Sequence, residues 1–122
     1  MRRQMDLIRA IVLQIEDHDS PRAPEEIAVD GYTTAQVEYH KALLIEAGFA
    51  IGVTTDTLND EDEPECYIER LTWSGHEFAD SVRSDTVWNK VKAKVNEAAG
   101  SVPISVVSAL ALTYVKQKLG LN

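Results

Sequence analysis

The sequence predicts a mainly α chain of the α+β class: a winged helix-turn-helix with a two-stranded β-hairpin wing and additional C-terminal helices. Three observations predict it. Thr33 followed by Gln36 forms a capping-box pattern, and Gly48 sits where a helix begun there would stop, so 34–47 is bracketed as one helix. "FAIGVTT" (49–55) follows at once, with Phe49, Ile51 and Val53 alternating in strand fashion. "CYIERLTW" (66–73) then returns after a polar loop, so the pair reads as a hairpin. Elsewhere the apolar residues recur at helical spacing.

Each element has its own reason. Over 3–17, Met5, Ile8, Val12 and Ile15 recur one turn apart, with Leu7 and Ile11 widening the stripe. "DHDSPRAP" (17–24) ends that helix, because Pro21 and Pro24 do not continue one. Pro24 suits the first position of a single short turn, with Glu25 and Glu26 beside it, and Asp30-Gly31 reads as a turn. In helix 34–47, Val37, Leu44 and Ala47, helped by Leu43 and the Lys41 stem, supply the expected buried face. Ser74 and Glu77 are expected to cap a helix over 75–83. Ser84 or Asp85 caps another over 86–98, with Trp88, Val91, Val95 and Ala98 on one face. Pro103 opens a last helix to about Leu119. Its Ile104, Val107, Leu110, Ala111, Tyr114 and Val115 are expected to be buried, and with Val106 and Leu112 it is apolar almost all round. Trp73 and Trp88 are expected as core anchors joining the hairpin to helix 86–98.

With 122 residues and no linker or repeat, the chain reads as one domain: a winged-helix core over 1–83 and a helical extension over 84–122. Its net charge of −8 is unevenly spread. Residues 1–22 balance, whereas 23–65 carry eleven acids against Lys41 alone, a net −10. Residues 66–83 come to −1, and 84–122 to +3. The acid therefore covers the helix and wing with which a nucleic-acid reader would touch phosphates, the reverse of the usual polarity. The lone Cys66 suits a reducing compartment, and Asp6 and Arg9 interrupt any leader at the start. The run 101–115 is too short to span a bilayer. A cytoplasmic protein without a membrane segment is expected.

"MDLIRAIVLQIED", "YHKALLIEAGFAIGV", "RLTWSGHEFADSVRSDTVWNKVKAKV" and the closing "KQKLGLN" together resemble a family of small phage- and prophage-associated proteins. That family is a domain of unknown function related to the YjcQ-type phage winged-helix proteins. The resemblance covers nearly the whole chain. Its most specific part is "LTWSGHEFADSVRSDTVWNKVK", which combines Gly75, Trp88 and Lys90 with the LT..G junction between strand and helix. It implies a winged-helix fold in a bacterial or phage setting. It brings no activity, and no residue role is carried over from it.

Two surfaces are candidate sites. Thr33, Thr34, Gln36, Tyr39, His40 and Lys41 occupy the first turns of helix 34–47, the part of a winged helix that enters the major groove. A second reading makes Thr33 and Gln36 caps and packs Tyr39 and His40 beside the core. The other surface is the wing, where Asp56, Asp60, Glu61, Asp62, Glu63 and Glu65 crowd together. A wing that tracks phosphates wants Arg or Lys, so this one suits a protein partner with a basic surface. The same loop also reads as a solvated, mobile loop. His18, His40, His76 and Cys66 show no ligand spacing, and no nucleophile elbow or phosphate-binding glycine loop is present, so no metal, cofactor or enzymatic activity is expected. The expectation is thus a non-enzymatic protein-binding module, a modulator of a host factor or defence system. DNA binding through helix 34–47, with Arg2, Arg3, Arg9, Lys90, Lys92 and Lys94 on the backbone, is the alternative. The last helix, 103–119, is the expected seam of a possible homodimer.

Overall fold

In a computed structural model the chain is described over residues 1–55, 65–98 and 100–121. Among the described residues, five helices and one antiparallel hairpin follow in order: α1 (Met5–Asp17), α2 (Thr34–Glu46), β1 (Ala50–Thr55), β2 (Glu65–Leu71), α3 (Trp73–Val82), α4 (Asp85–Ala98) and α5 (Ile104–Lys118). The fold is mainly α with a small β hairpin. It divides into two compact units, 1–77 and 78–122, with α3 beginning in the first and ending in the second.

In the first unit, α1 buries Leu7, Ile8, Ile11, Val12 and Ile15. These face Val37 and Leu44 of α2 and Cys66, Ile68 and Leu71 of β2, since α2 packs on α1 and on both strands. Helix α2 starts as its sequence predicts. Thr33 Oγ1 accepts from the Gln36 N–H (3.1 Å), and Gln36 Oε1 accepts from the Thr33 N–H (2.8 Å). It ends in a Schellman turn, with Gly48 at φ +79° and the Gly48 and Phe49 amides donating to the Ile45 and Leu44 carbonyls.

Several expectations for this unit change. No helical turn forms over 24–32. The Ala23 N–H donates to the Glu69 carbonyl (2.8 Å) and Gln14 Nε2 to the Ala28 carbonyl (3.3 Å), so the segment is tied alongside its neighbours and does not coil on itself. The turn at Asp30-Gly31 is present, with Gly31 at φ +86°. Strand β1 shows the opposite face to the one alternation suggests: Ala50 is buried, whereas Ile51 and Val53 are exposed. The inward positions belong to small residues, and at Gly52 it is chiefly the backbone of β2 that leaves no room for a side chain. A Cβ on Gly52 would run into the Tyr67 carbonyl and meet Ile45 Cδ1 at 3.0 Å. The register also shifts between Ile51 and Gly52, a bulge that skips Glu69. Ala47, expected to be buried, is exposed at the helix end.

The junction from β2 into α3 explains the "LTWSG" stretch. The cap is Thr72, two residues ahead of the expected Ser74. Its Oγ1 accepts from the Gly75 N–H (3.1 Å) and donates to the Gly48 carbonyl (2.6 Å), while its own N–H donates to the Phe49 carbonyl (3.0 Å). Gly75 faces that same Phe49 carbonyl with no room for a Cβ. Trp73, one residue past the cap, is 80% exposed and anchors nothing, in contrast to the core role expected of it. Nearby, His76 Nδ1 lies 3.0 Å from Glu16 Oε2, linking the start of α3 to the end of α1.

In the second unit, Ser84 caps α4 by accepting from the Val87 N–H (3.3 Å), as expected of it. Helices α4 and α5 pack together, with Lys90 Nζ 5.8 Å from the centre of the Tyr114 ring. Trp88 is buried with Val87 and Val91, while Val95 is half-buried and Ala98 exposed. In α5 only Val107 and Ala111 are fully buried. Ile104, Leu110, Tyr114 and Val115 are half-buried, and Val106 and Leu112 are exposed. That partial burial corrects the wholly buried stripe expected there, since one neighbouring helix covers one side of a helix that is apolar on several.

Gly75→Ala is expected to lower unfolding stability by at least about 2 kcal/mol, because the methyl group can be admitted only by moving backbone. Urea unfolding measures it; a change below about 0.5 kcal/mol would remove Gly75 from the junction.

Candidate functional site

Helix α2 is where the expected DNA-contacting residues sit, and the structure separates them. Thr33 and Thr34 are exposed at its start, with the Thr33 side chain committed to the cap. Gln36 is half-buried and also committed to the cap. Tyr39 is half-buried and edge-on to the His40 ring, 5.7 Å between centres. His40 is 0% exposed and Lys41 5% exposed; both are part of the interior.

Two consecutive residues of a helix point about 100° apart, so burying both requires structure on two sides. Toward α1, His40 Nε2 accepts the Gln4 backbone N–H at 2.8 Å. A backbone amide can only donate, so Nε2 is unprotonated. The ring proton is therefore on Nδ1, which donates to the Gln36 carbonyl at 2.7 Å. Gln4 is the N-cap position of α1 and has no side-chain cap of its own, so His40 holds the start of that helix. Burial, above all, pushes the His40 imidazole below its ordinary 6.5; the Gln36 bond opposes this, and the charge of Arg3 adds to the lowering.

Toward β2, Lys41 Nζ donates to Glu38 Oε1 at 2.9 Å, and the other oxygen, Glu38 Oε2, accepts the Cys66 backbone N–H at 2.6 Å. One carboxylate thus neutralises the buried ammonium and fastens the hairpin to α2. The Cys66 thiol is buried, its ionisation pushed up chiefly by that burial and eased by the Thr54 hydroxyl at 3.8 Å. A buried thiol held in its neutral form is a poor nucleophile.

Of the acidic residues expected at the wing, Asp56, Asp60, Glu61, Asp62 and Glu63 lie outside the described residues. Glu65 is exposed at the start of β2 and accepts from the Tyr67 hydroxyl at 2.9 Å, a bond that leads in raising the phenol's ionisation. Beside β2 run two grooves of about 760 and 540 Å³ that share Glu25, Lys41 and Tyr67. Their lining adds Glu26, Glu38, Glu65 and Glu69. The sequence reading missed this wall: Glu25 and Glu26 read as helix-favouring residues of a turn that does not form. The i, i+3 spacing of Glu38 and Lys41 signals the ion pair, and the Lys41 stem lies on the buried face expected of it; the link from Glu38 to the Cys66 amide has no such signal. Among the described residues no three of His, Cys, Asp and Glu group as a metal set, and no helix is long and apolar enough to cross a membrane.

Fold and site define a small mainly α protein in which a helix with a satisfied polar interior supports an acidic hairpin. Residues 2–101 match the family described as "Hypothetical protein (DUF2513)", and the chain belongs to that family. A relative from Haemophilus influenzae, described as "Uncharacterized protein", is 34% identical over 122 residues, covering 98% of this chain and 99% of its own. No solved structure matches.

His40 gives a pH dependence of defined sign. The unfolded chain takes up a proton as pH drops through 6.5, whereas the fold resists it, so the unfolded state binds more protons in the window below 6.5. Above that window neither state is protonated and the contribution vanishes. Stability is expected to fall from pH 7 to pH 5 with a His40-dependent slope of up to about 1.4 kcal/mol per pH unit. His40→Gln should flatten that slope. Imidazole ¹⁵N shifts should show the Nδ1–H tautomer; an Nε2–H tautomer at pH 7 would contradict the assigned bonds.

Proposed function

We propose that the chain is a small non-enzymatic winged-helix interaction module of phage or prophage type, related to the YjcQ-type proteins. It binds a protein partner with a basic surface through the acidic wing, Asp56, Asp60, Glu61, Asp62, Glu63 and Glu65, and so modulates a host factor or defence system. The observation that carries this reading is the fate of Lys41. It is the only Lys or Arg among residues 23–65, and it is buried and paired with Glu38. The surface of α2 and of the described hairpin up to Glu65 therefore has no exposed Lys or Arg to set against its acids. Such a surface repels a phosphate backbone and speeds encounter with a cationic partner.

The winged-helix reading is supported by element order. A helix is followed by a short bridge to the sheet at Ala23, then a capped helix, then a hairpin leading into another helix. The second reading, a DNA-binding transcriptional regulator using α2, draws on the exposed Thr33 and Thr34 and on Tyr39, with Gln36 released from its cap. His40 and Lys41 would have to leave the interior to take part.

In a mobility-shift assay near 50 mM salt, tens of micromolar protein are expected to leave duplex DNA unshifted, a condition under which even non-specific binders respond. Reversing Asp60, Glu61, Asp62 and Glu63 to Lys is expected to abolish capture of the protein partner. A clear shift with undiminished capture would replace the protein-binding reading with the DNA one.

A further inference from the structure

The two faces of the hairpin meet different surroundings. Ala50, Cys66, Ile68 and Leu71 are buried on the side where α1 and α2 pack. The other face carries Ile51, Val53 and Tyr67, which are 40%, 64% and 54% exposed. Val53 stands directly opposite Tyr67 in the register, and Ile51 is two positions along the same strand, so the three form one apolar stripe. A single exposed apolar residue is ordinary. A stripe that crosses both strands, on a sheet already backed by helices, is the kind of face that a further layer covers.

The stripe has a charged border in which acids are in excess. At one end the Tyr67 hydroxyl donates to Glu65 Oε2 at 2.9 Å, so the ring is oriented before any partner arrives. At the other end the bulge sets the unpaired Glu69 beside Arg70, which stands opposite Ile51 and turns Nη1 to the Leu71 carbonyl at 3.1 Å. The groove bounded by Val53 and Tyr67 adds Glu25 and Arg22, and the second groove lined by Tyr67 adds Glu26. The exposed border is thus four acids, Glu25, Glu26, Glu65 and Glu69, against Arg22 and Arg70. The sequence that joins the two strands holds five further acids and no Lys or Arg.

Resting on the protein-binding reading, we propose that this outer face of the hairpin docks a basic amphipathic helix of the protein partner. The apolar ridge of that helix lies along Ile51, Val53 and Tyr67, and the Lys or Arg residues on its flanks meet the surrounding carboxylates. A helix is the element that completes a sheet with helices on its first face. Tyr67 is the anchor, because an aromatic side chain already held in place loses little freedom on binding. The acids speed and orient the encounter, whereas the stripe sets how long the complex lasts. A second copy of the chain fits this face less well, since a two-fold pairing sets the same acid-rich border against itself.

The test titrates ¹⁵N-labelled protein with a peptide bearing Leu at helical spacing and Lys on both flanks of that ridge. Two matched peptides carry Ser in place of Leu, or Glu in place of Lys. Shift changes are expected to centre on Ile51, Val53 and Tyr67, with a gain of helical circular dichroism in the peptide. Each altered peptide should bind at least about tenfold more weakly. The Val53→Ser/Tyr67→Ser variant, changed only at exposed positions, should weaken the parent peptide as much, chiefly through faster dissociation. Equal affinity for the Ser peptide, which needs no altered protein, would overturn the apolar anchor while leaving the acidic-wing reading intact. So would shift changes confined to 56–65. A bound peptide without helical signal would overturn the helix. Shift changes along the stripe on concentrating the protein alone would assign the face to a second copy, against the proposal. Absence of peptide binding would overturn the proposal, and joined by a DNA mobility shift it would overturn the reading beneath it as well.

Discussion

Burial of His40 and Lys41, neighbours on α2, is the constraint around which the first unit is arranged. Neither side chain enters an interior cheaply, and each is admitted because one particular element meets it. The start of α1 brings the Gln4 amide to His40, and β2 brings the Cys66 amide to the carboxylate that neutralises Lys41. Removing either partner leaves a buried polar group unanswered, which costs more than the bond itself contributes. The two bridges therefore select one placement of α1 and of the hairpin on α2, where apolar packing alone tolerates alternatives.

The hairpin's other anchor is made of backbone. Thr72 joins the end of α2 to the start of α3 through the Gly48 and Phe49 carbonyls and the Gly75 amide. With Glu38 holding the beginning of β2 and Thr72 the residue just after its end, the strand is fixed at both termini. The same carboxylate that anchors the strand also removes the segment's sole Lys from the surface, so packing and surface charge have a common origin.

Much of this is legible in the sequence, and the losses have physical causes. The caps at Thr33 and Ser84, the glycine stop at Gly48 and the hairpin are local signals, set by residues within a few positions of one another. The face of β1 is not local. Ile51 and Val53 look like core residues, but the inward positions fall to Ala50 and to Gly52, where a Cβ would meet the Tyr67 carbonyl of β2 and Ile45 of α2. Trp73 misleads for a related reason: its size suggests an anchor, but the tight contact of that turn falls to Gly75. The candidate site was half visible. The acid of 23–65 stands out in the composition, and the reading that packs His40 beside the core is borne out; its partner Gln4 is thirty-six positions away, and no spacing rule connects the two.

The central claim is that Lys41 is withdrawn from the surface, leaving α2 and the described hairpin without an outward Lys or Arg up to Glu65. Timed acylation of the folded protein with an amine-reactive ester, read residue by residue by mass spectrometry, tests it most directly. Lys41 is expected to react at least about tenfold more slowly than Lys90 and Lys94, which are exposed on α4, and to match them once the chain is unfolded in denaturant. Equal reactivity of Lys41 in the native state would contradict the account. It would return a cation to the outward face of α2 and with it the case for DNA.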